Sequence, residues 1–259
     1  MSLSGGFMYP GNLSSKKGTQ KITMLTAYDY SMASVLNKTD VDLLLVGDSL
    51  GNVMLGHKDT IAVTLSDMIH HASSVVRGAP DKAVIVDMPF MSISMGLEKS
   101  LENVMNVMQS TGAQGVKIEG GKQHVALIQA LGHAGVPVMG HLGLTPQSYL
   151  NLGGYKTQGN TPKSSEQIMN DAKALCDAGV FCIVLECVNN DLAKAITQEI
   201  SVPTIGIGSG PYTDGQVLVI NDLLGLGTSK VPSFVKPKLD LCDLITKAVA
   251  DFNKEVKGV

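Results

Sequence analysis

Tryptophan is missing from this chain of 259 residues, and aromatic side chains make up only 4% of it. A core built around large rings is thereby excluded. The apolar 44% must pack as Val, Ile, Leu, Ala and Met, the residues that fill the interiors of layered parallel strands. No Cys-x-x-Cys pair occurs among Cys176, Cys182, Cys187 and Cys242, and their spacings fit no zinc template. They read as small buried hydrophobes in a reducing compartment. No apolar run reaches the roughly 18 residues of a membrane-spanning helix, so no membrane partner is expected. No basic stripe interleaved with aromatics is present, and 20 basic against 23 acidic residues give a net charge of −3, so no nucleic-acid partner is expected either. The polar, Gly/Ser-rich residues 1–20 lack an apolar h-region, which removes a secretory signal and points to the cytoplasm. That segment reads as partly flexible or tag-derived, with Met1-Ser2-Leu3 as an expression scar.

What is present is a repeating alternation. Short apolar runs at 22–26, 43–47, 83–87, 115–119, 136–141, 181–186, 204–208 and 217–221 read as strands. Helical patterns fall at 28–38, 65–76, 98–109, 123–134, 165–178 and 191–200, with a closing helix at 240–253. The strands are β-branched and almost wholly apolar, as strands buried on both faces are. Their alternation with helices implies parallel pairing through crossovers. The length is close to the roughly 250 residues of a (β/α)8 barrel. No Gly-x-Gly-x-x-Gly follows the first strand, as a dinucleotide-binding fold would require. No linker or composition shift divides residues 21–259, so the expected fold is α/β, a single (β/α)8 TIM barrel of parallel strands. The loop at 143–163 is long enough to serve as a lid or binding loop.

Polar residues sit where the apolar runs end: Asp48 and Ser49 after the second, Asp87 at the third, Lys117 and Glu119 on the fourth, His141 at the fifth and Glu186 at the sixth. In a parallel barrel all these ends open on one face, the face that carries active sites. One acid after a strand is commonly a helix cap or a turn former. Five successive strands ending in ionisable residues are harder to explain by capping. Carboxylates crowded together repel and are costly to desolvate, so they call for a cation. Asp48, Asp87 and Glu119 are hard oxygen donors that suit Mg2+, or another divalent ion of that kind, better than zinc. Lys117 and Glu119 are two apart on one strand and face the same side. A lysine turned inward needs an anion: a substrate carboxylate or carbonyl oxygen, or a purely structural carboxylate partner. Glu186 and His141 are the candidates for proton transfer. His57, His70, His71, His124 and His133 fall in loops or helices and receive no role.

Gly47-Asp48-Ser49-Leu50 spells the motif of the GDSL esterases, whose serine needs a histidine base. That base comes from an Asp-x-x-His near the C-terminus, whereas here no histidine follows His141 and the one Asp-x-x-His, Asp67–His70, lies inside a predicted helix. The match is rejected.

Taken together, KITMLTAYDY (21–30), VGDSLGNVMLGH (46–57), VVRGAP (75–80), DMPFMS (87–92), VKIEGG (116–121), GHLGLTPQS (140–148), GGYKTQG (153–159), VLECV (184–188), PTIGIGSG (203–210) and TDGQVLV (213–219) resemble the ketopantoate hydroxymethyltransferase family, in family order. The resemblance implies a (β/α)8 barrel with bound Mg2+. It implies transfer of a hydroxymethyl group from the co-substrate 5,10-methylenetetrahydrofolate to 3-methyl-2-oxobutanoate through an Mg-stabilised enolate, giving 2-dehydropantoate for pantothenate and coenzyme A synthesis. It implies Asp48 and Asp87 as metal ligands, with Glu119 a ligand directly or through water. Asp48, Ser49, Asp87 and Lys117 would contact the keto acid and Glu186 would accept the proton; His141, from its place at a strand end alone, is the second candidate and an assisting group. A cytoplasmic homodecamer is implied as well. Two departures stand out: Gly208-Ser209-Gly210 where Gly-Ala-Gly is usual, and Asn160 where Arg is common.

Two other readings stay open. A carbon–carbon lyase of the isocitrate lyase type would share the carboxylates, but it would carry a catalytic cysteine in a Lys-Lys-Cys-Gly-His stretch, and here no cysteine precedes Cys176. A non-catalytic keto-acid-binding barrel is the other, against which the intact set of carboxylates, lysine and glutamate argues.

Overall fold

The structure, a computed structural model, describes residues 7–227 and 231–258. The expected scar at Met1-Ser2-Leu3 lies outside the described residues. In chain order the elements are β1 (Ile22–Thr26), α1 (Tyr30–Leu36), β2 (Leu43–Val46), α2 (Leu50–Val53), α3 (Leu65–Gly78), β3 (Ala83–Asp87), α4 (Leu97–Thr111), β4 (Gly115–Glu119), α5 (Val125–His133), β5 (Val138–Gly143), α6 (Tyr149–Leu152), α7 (Pro162–Ala178), β6 (Cys182–Glu186), α8 (Asn190–Glu199), β7 (Thr204–Ile207), β8 (Gly215–Leu218), α9 (Ile220–Leu224) and α10 (Leu241–Lys257). The strands close into a barrel in the order β1 to β8, and every recorded pair of neighbours is parallel. The (β/α)8 barrel expected from the sequence is the observed fold.

The chain falls into two compact units, Met1–Val217 and Leu218–Val259. In the first, the core explains the strand pattern. Ile22 and Met24, Leu43 and Leu45, Ala83 and Ile85, Cys182 and Val184, with Met139, Ile205 and Val217, meet inside the barrel. Within a strand these positions are two apart, so one phase of each strand faces inward. Continuing the phase to the strand ends brings Asp87, Lys117, Glu119, His141 and Glu186 to the inner side. Leu13, fully buried, joins this cluster from a 3-10 helix at Pro10–Lys16. The stretch that reads from sequence as a partly flexible lead-in therefore contributes a core residue. Lys17 and Gly18 follow it onto the Asp214 carboxylate, which the Lys17 ammonium meets at 3.0 Å and the Gly18 N–H at 3.1 Å. In the second unit, α10 is capped by the Asp240 side chain, which accepts from Asp243 N, and closes on Gly258 in the left-handed conformation.

Several element boundaries shift by a residue or two from the sequence reading, and two of the shifts have a plain physical reason. The eighth strand, expected at 217–221, begins at Gly215, and Asn221 lies in α9. A side chain at Gly215 would collide with Ile22, so the strand starts where only a glycine lets β8 approach β1. The fifth strand runs on to Gly143 because Leu142 and Gly143 pair with Leu185 and Glu186. The cysteines are also less uniformly buried than expected. All four are free, and Cys182 is buried, but Cys176, Cys187 and Cys242 are half-buried.

Candidate active site

The strand-end residues come together as one cluster at the barrel mouth. Lys117, on β4, holds its Nζ 3.0 Å from Asp87 Oδ1 and 3.8 Å from Glu119 Oε1. The same nitrogen lies 3.0 Å from His141 Nδ1. His141 Nδ1 is 3.2 Å from Glu119 Oε1, and its Nε2 is 3.2 Å from Glu186 Oε2. Asp48, just past β2, points its backbone N–H at Asp87 Oδ2 over 3.0 Å. A Cβ at Gly47 would crowd Ser49 Oγ at 2.9 Å, while Asp87 Oδ2 would stay at an ordinary contact distance of 3.5 Å. The inward lysine thus already has its anion, in Asp87.

Burial and mutual repulsion set the charges. Burial, aided by Glu119 and Asp87, raises the Asp48 carboxyl well above the usual range. Burial also raises Asp87, only partly offset by Lys117. Burial opposes the Lys117 ammonium, but Asp87, Glu119 and Asp48 outweigh it and lift its pKa above that of an ordinary lysine. Burial works to raise Glu119, yet His141 and Lys117 bring it below its usual value. For His141, burial and Lys117 act downward, while Glu119 and Glu186 prevail and push the imidazole up to about 9. At neutral pH the cluster holds a charged lysine against several acids.

Glu186 is the accessible acid, with 20% of its side chain exposed against 3% for His141. Asp87 Oδ1, Glu119 Oε1 and His141 Nε2 are buried without a hydrogen bond of good geometry. Buried polar atoms in that state are costly and mark places built for another group. Among the described residues, no three or more His, Cys, Asp or Glu side chains are spaced as a ready cage for a cation. The donor set still fits one kind of ion. Mg2+ is commonly held by one or two carboxylates, with water and substrate oxygens completing its shell. Asp48 and Asp87 adjoin, while Glu119 is turned towards Lys117 and His141.

Several residues here lie beyond what strand-end reasoning reached. Gln147 donates from Nε2 to Asp48 Oδ2 at 2.8 Å and to Met88 O at 2.9 Å, and from its backbone N to Glu119 Oε2 at 3.1 Å. The Tyr28 hydroxyl and Ser49 Oγ share a hydrogen bond of 2.8 Å. The Tyr149 hydroxyl donates to Asp59 Oδ2 at 3.0 Å, and its ring stacks on Tyr155 with centroids 5.5 Å apart. Gln147 and Tyr28 lie inside the quoted motifs, the signal that points to them; Asp59 and Tyr149 have none. The loop at 143–163 is partly built, with a 3-10 turn at Pro146–Ser148 followed by α6. Its Gln158 N–H bonds Cys187 O at 2.7 Å, and Asn189 N–H bonds Gln158 O at 2.9 Å.

The esterase match fails on geometry too. The Ser49 hydroxyl meets Tyr28, and Asp67 is occupied in the capping box of α3 with Thr64. The departure at Ser209 has a structural role: the buried hydroxyl donates to Leu185 O at 2.7 Å and accepts from Val188 N at 2.9 Å, bracing the turn after Glu186. Asn160, the other departure, is exposed and bonds Thr157 O at 3.0 Å within its own loop.

Comparison with known proteins agrees with this architecture. The family model described as ketopantoate hydroxymethyltransferase matches residues 10–259. A protein of Syntrophomonas wolfei named 3-methyl-2-oxobutanoate hydroxymethyltransferase is 50% identical over 94% of this chain and 88% of its own length. One of the same name from Leptospira interrogans is 47% identical over 94% of this chain and 92% of its own. Among solved structures, a putative phosphonomutase of Burkholderia cenocepacia superposes with a TM-score of 0.64 at 15% identity, covering 81% of this chain and 91% of that one. A 2,3-dimethylmalate lyase, described as a member of the PEP mutase/isocitrate lyase superfamily, gives 0.61 at 16% identity over 97% of this chain and 89% of that one. At such identities the structural likeness speaks for the fold alone, but the sequence matches go further: the chain belongs to the ketopantoate hydroxymethyltransferase family.

Proposed function

We propose that the chain is an enzyme that transfers a hydroxymethyl group from 5,10-methylenetetrahydrofolate to 3-methyl-2-oxobutanoate, yielding 2-dehydropantoate and tetrahydrofolate with a water supplying the hydroxyl. The activity is that named for its relatives, and pantothenate synthesis is the pathway the resemblance implies. The observation that carries it is the division of labour at the mouth. An accessible glutamate, Glu186, stands 3.2 Å from the His141 imidazole, beside two adjacent acids and a buried lysine.

In this reading Asp48 and Asp87 would hold Mg2+ and Glu119 would support it through water. Mg2+, when bound, supplies Lewis acidity to the oxygens of a chelating 2-oxo acid. Lys117 neutralises the charge of the acid and of the developing enolate, and Ser49, braced by Tyr28, lines the same pocket. Glu186 Oε2 receives the proton leaving C3. His141 Nε2, 3.2 Å from Glu186 Oε2, keeps that carboxylate turned for the step. One water cleaves the two C–N bonds of the methylene bridge, releasing tetrahydrofolate and a one-carbon unit at the formaldehyde level; the C3 electron pair adds to its carbon, and its oxygen takes back the proton held by Glu186 to become the hydroxyl, with the loop at 143–163 excluding bulk water. The cytoplasmic homodecamer implied by the resemblance belongs to the same proposal. Among the described residues no helix is long and apolar enough to cross a membrane.

Proton exchange tests the reading. In D2O with Mg2+ and no folate, 3-methyl-2-oxobutanoate is expected to take up deuterium at C3. Adding 5,10-methylenetetrahydrofolate should then give 2-dehydropantoate. Keto-acid binding with neither exchange nor product would leave a non-catalytic binding barrel and overturn the proposal.

A further inference from the structure

We infer that Gln147 is a positioning residue that fixes Asp48 and Glu119 relative to one another, so that ordering of the loop at 143–163 and readiness of the cation site are one event; this rests on the cation site proposed above. The local sequence prepares it. Pro146 opens the 3-10 turn at Pro146–Ser148, and Ser148 N bonds Thr145 O at 2.8 Å. The first N–H groups of such a turn have no partner within it. The Gln147 N–H is therefore free to donate outward, and it does so to Glu119 Oε2 at 3.1 Å.

The side chain completes the bridge. Both N–H bonds of the amide are used, one on Asp48 Oδ2 at 2.8 Å and one on Met88 O at 2.9 Å. Turning the amide over would set its oxygen against a carboxylate and a carbonyl, so its orientation is dictated by its neighbours. One residue of the loop after β5 thereby grips groups at the ends of β2, β3 and β4. Asp48 is a buried acid repelled by two others, and a fixed donor on one oxygen decides which way the rest of that carboxylate faces. The same loop is tied at Tyr149 to Asp59 and at Gln158 to Cys187, so displacing it would remove the donor from Asp48.

Gln147→Met tests this, because it keeps the length of the side chain, deletes both donors and leaves the backbone bond to Glu119. The readouts are a calorimetric Mg2+ titration with neither substrate present, kcat, the KM for the keto acid, and thermal melting. Mg2+ affinity is expected to fall by about 10–100-fold with a matching loss of kcat, while melting moves by only a few degrees. Gln147→Asn, one methylene short of Asp48, gives the same readout if the Met variant folds poorly. Wild-type Mg2+ affinity in both variants, or a loss confined to melting, overturns the inference. A wild-type protein that binds no Mg2+ overturns the cation site beneath it instead.

Discussion

His141 Nε2 lies 3.2 Å from Glu186 Oε2 while the opposite ring nitrogen lies 3.2 Å from Glu119 Oε1. One imidazole therefore links the accessible acid to the buried cluster. Glu186→Gln keeps the shape of the side chain and removes its basicity. Turnover should fall by about 10²–10⁴-fold, the usual cost of losing a general base, with keto-acid binding retained. Steady-state kinetics checks this, and near-normal turnover would remove Glu186 from the role.

Asp87 serves two partners, Lys117 Nζ at 3.0 Å and the Asp48 N–H at 3.0 Å. Asp87→Asn leaves the buried ammonium with Glu119 at 3.8 Å as its remaining close carboxylate. Breaking one side of a buried ion pair costs about 3–5 kcal/mol, so the melting temperature should drop. Mg2+-dependent keto-acid binding should vanish in calorimetry, and unchanged affinities would refute the ligand assignment.

The strand-end residues were legible from sequence because period-two alternation inside a barrel leaves few choices. Once Ala83 and Ile85 face inward, Asp87 must, and the same holds for His141 after Met139 and Glu186 after Val184. Gln147 lies inside a quoted motif, but its partners were not legible, because they depend on how a loop folds back across three other strands. Leu13 was missed for a similar reason: its flanks are polar, and only the assembled barrel offers the cavity it fills. Gly215 falls before the strand expected at 217–221, and the closeness of Ile22 shows why a glycine begins it.

Gly143 has a φ of 95°, in the left-handed region, and a Cβ there would collide with the Glu186 carbonyl and with Val188 Cγ2, which would lie 2.5 Å away. Gly143→Ala should cost about 1–3 kcal/mol in backbone strain and displace Glu186, lowering kcat more than it raises KM. A variant with wild-type melting and kcat would contradict this account of the β5–β6 junction.

Asp214 tests stability away from the mouth. Burial works to raise its carboxyl, but the N–H groups of Thr204 and Gly18 and the Lys17 ammonium outweigh it and hold the pKa below the ordinary value. A depressed carboxyl contributes stability above the unfolded pKa of about 3.9 and loses it as pH falls through the folded value. Asp214→Asn should cost about 1–3 kcal/mol at neutral pH. The gap between the two proteins should narrow in thermal melts below about pH 4. A gap that stays constant down to low pH would assign the effect to packing.

Lys17 and Asp214 also stand 197 positions apart along the chain. The carboxylate that secures residues 17 and 18 is thus among the later parts of the barrel to leave the ribosome, and the earliest strand must wait with its open edge for β8 to arrive. Contacts of such sequence separation slow folding, because a large loop has to close before they form. Closing the barrel is therefore among the last events open to the chain as it is made, because the free edge of β1 has no partner until β8 exists.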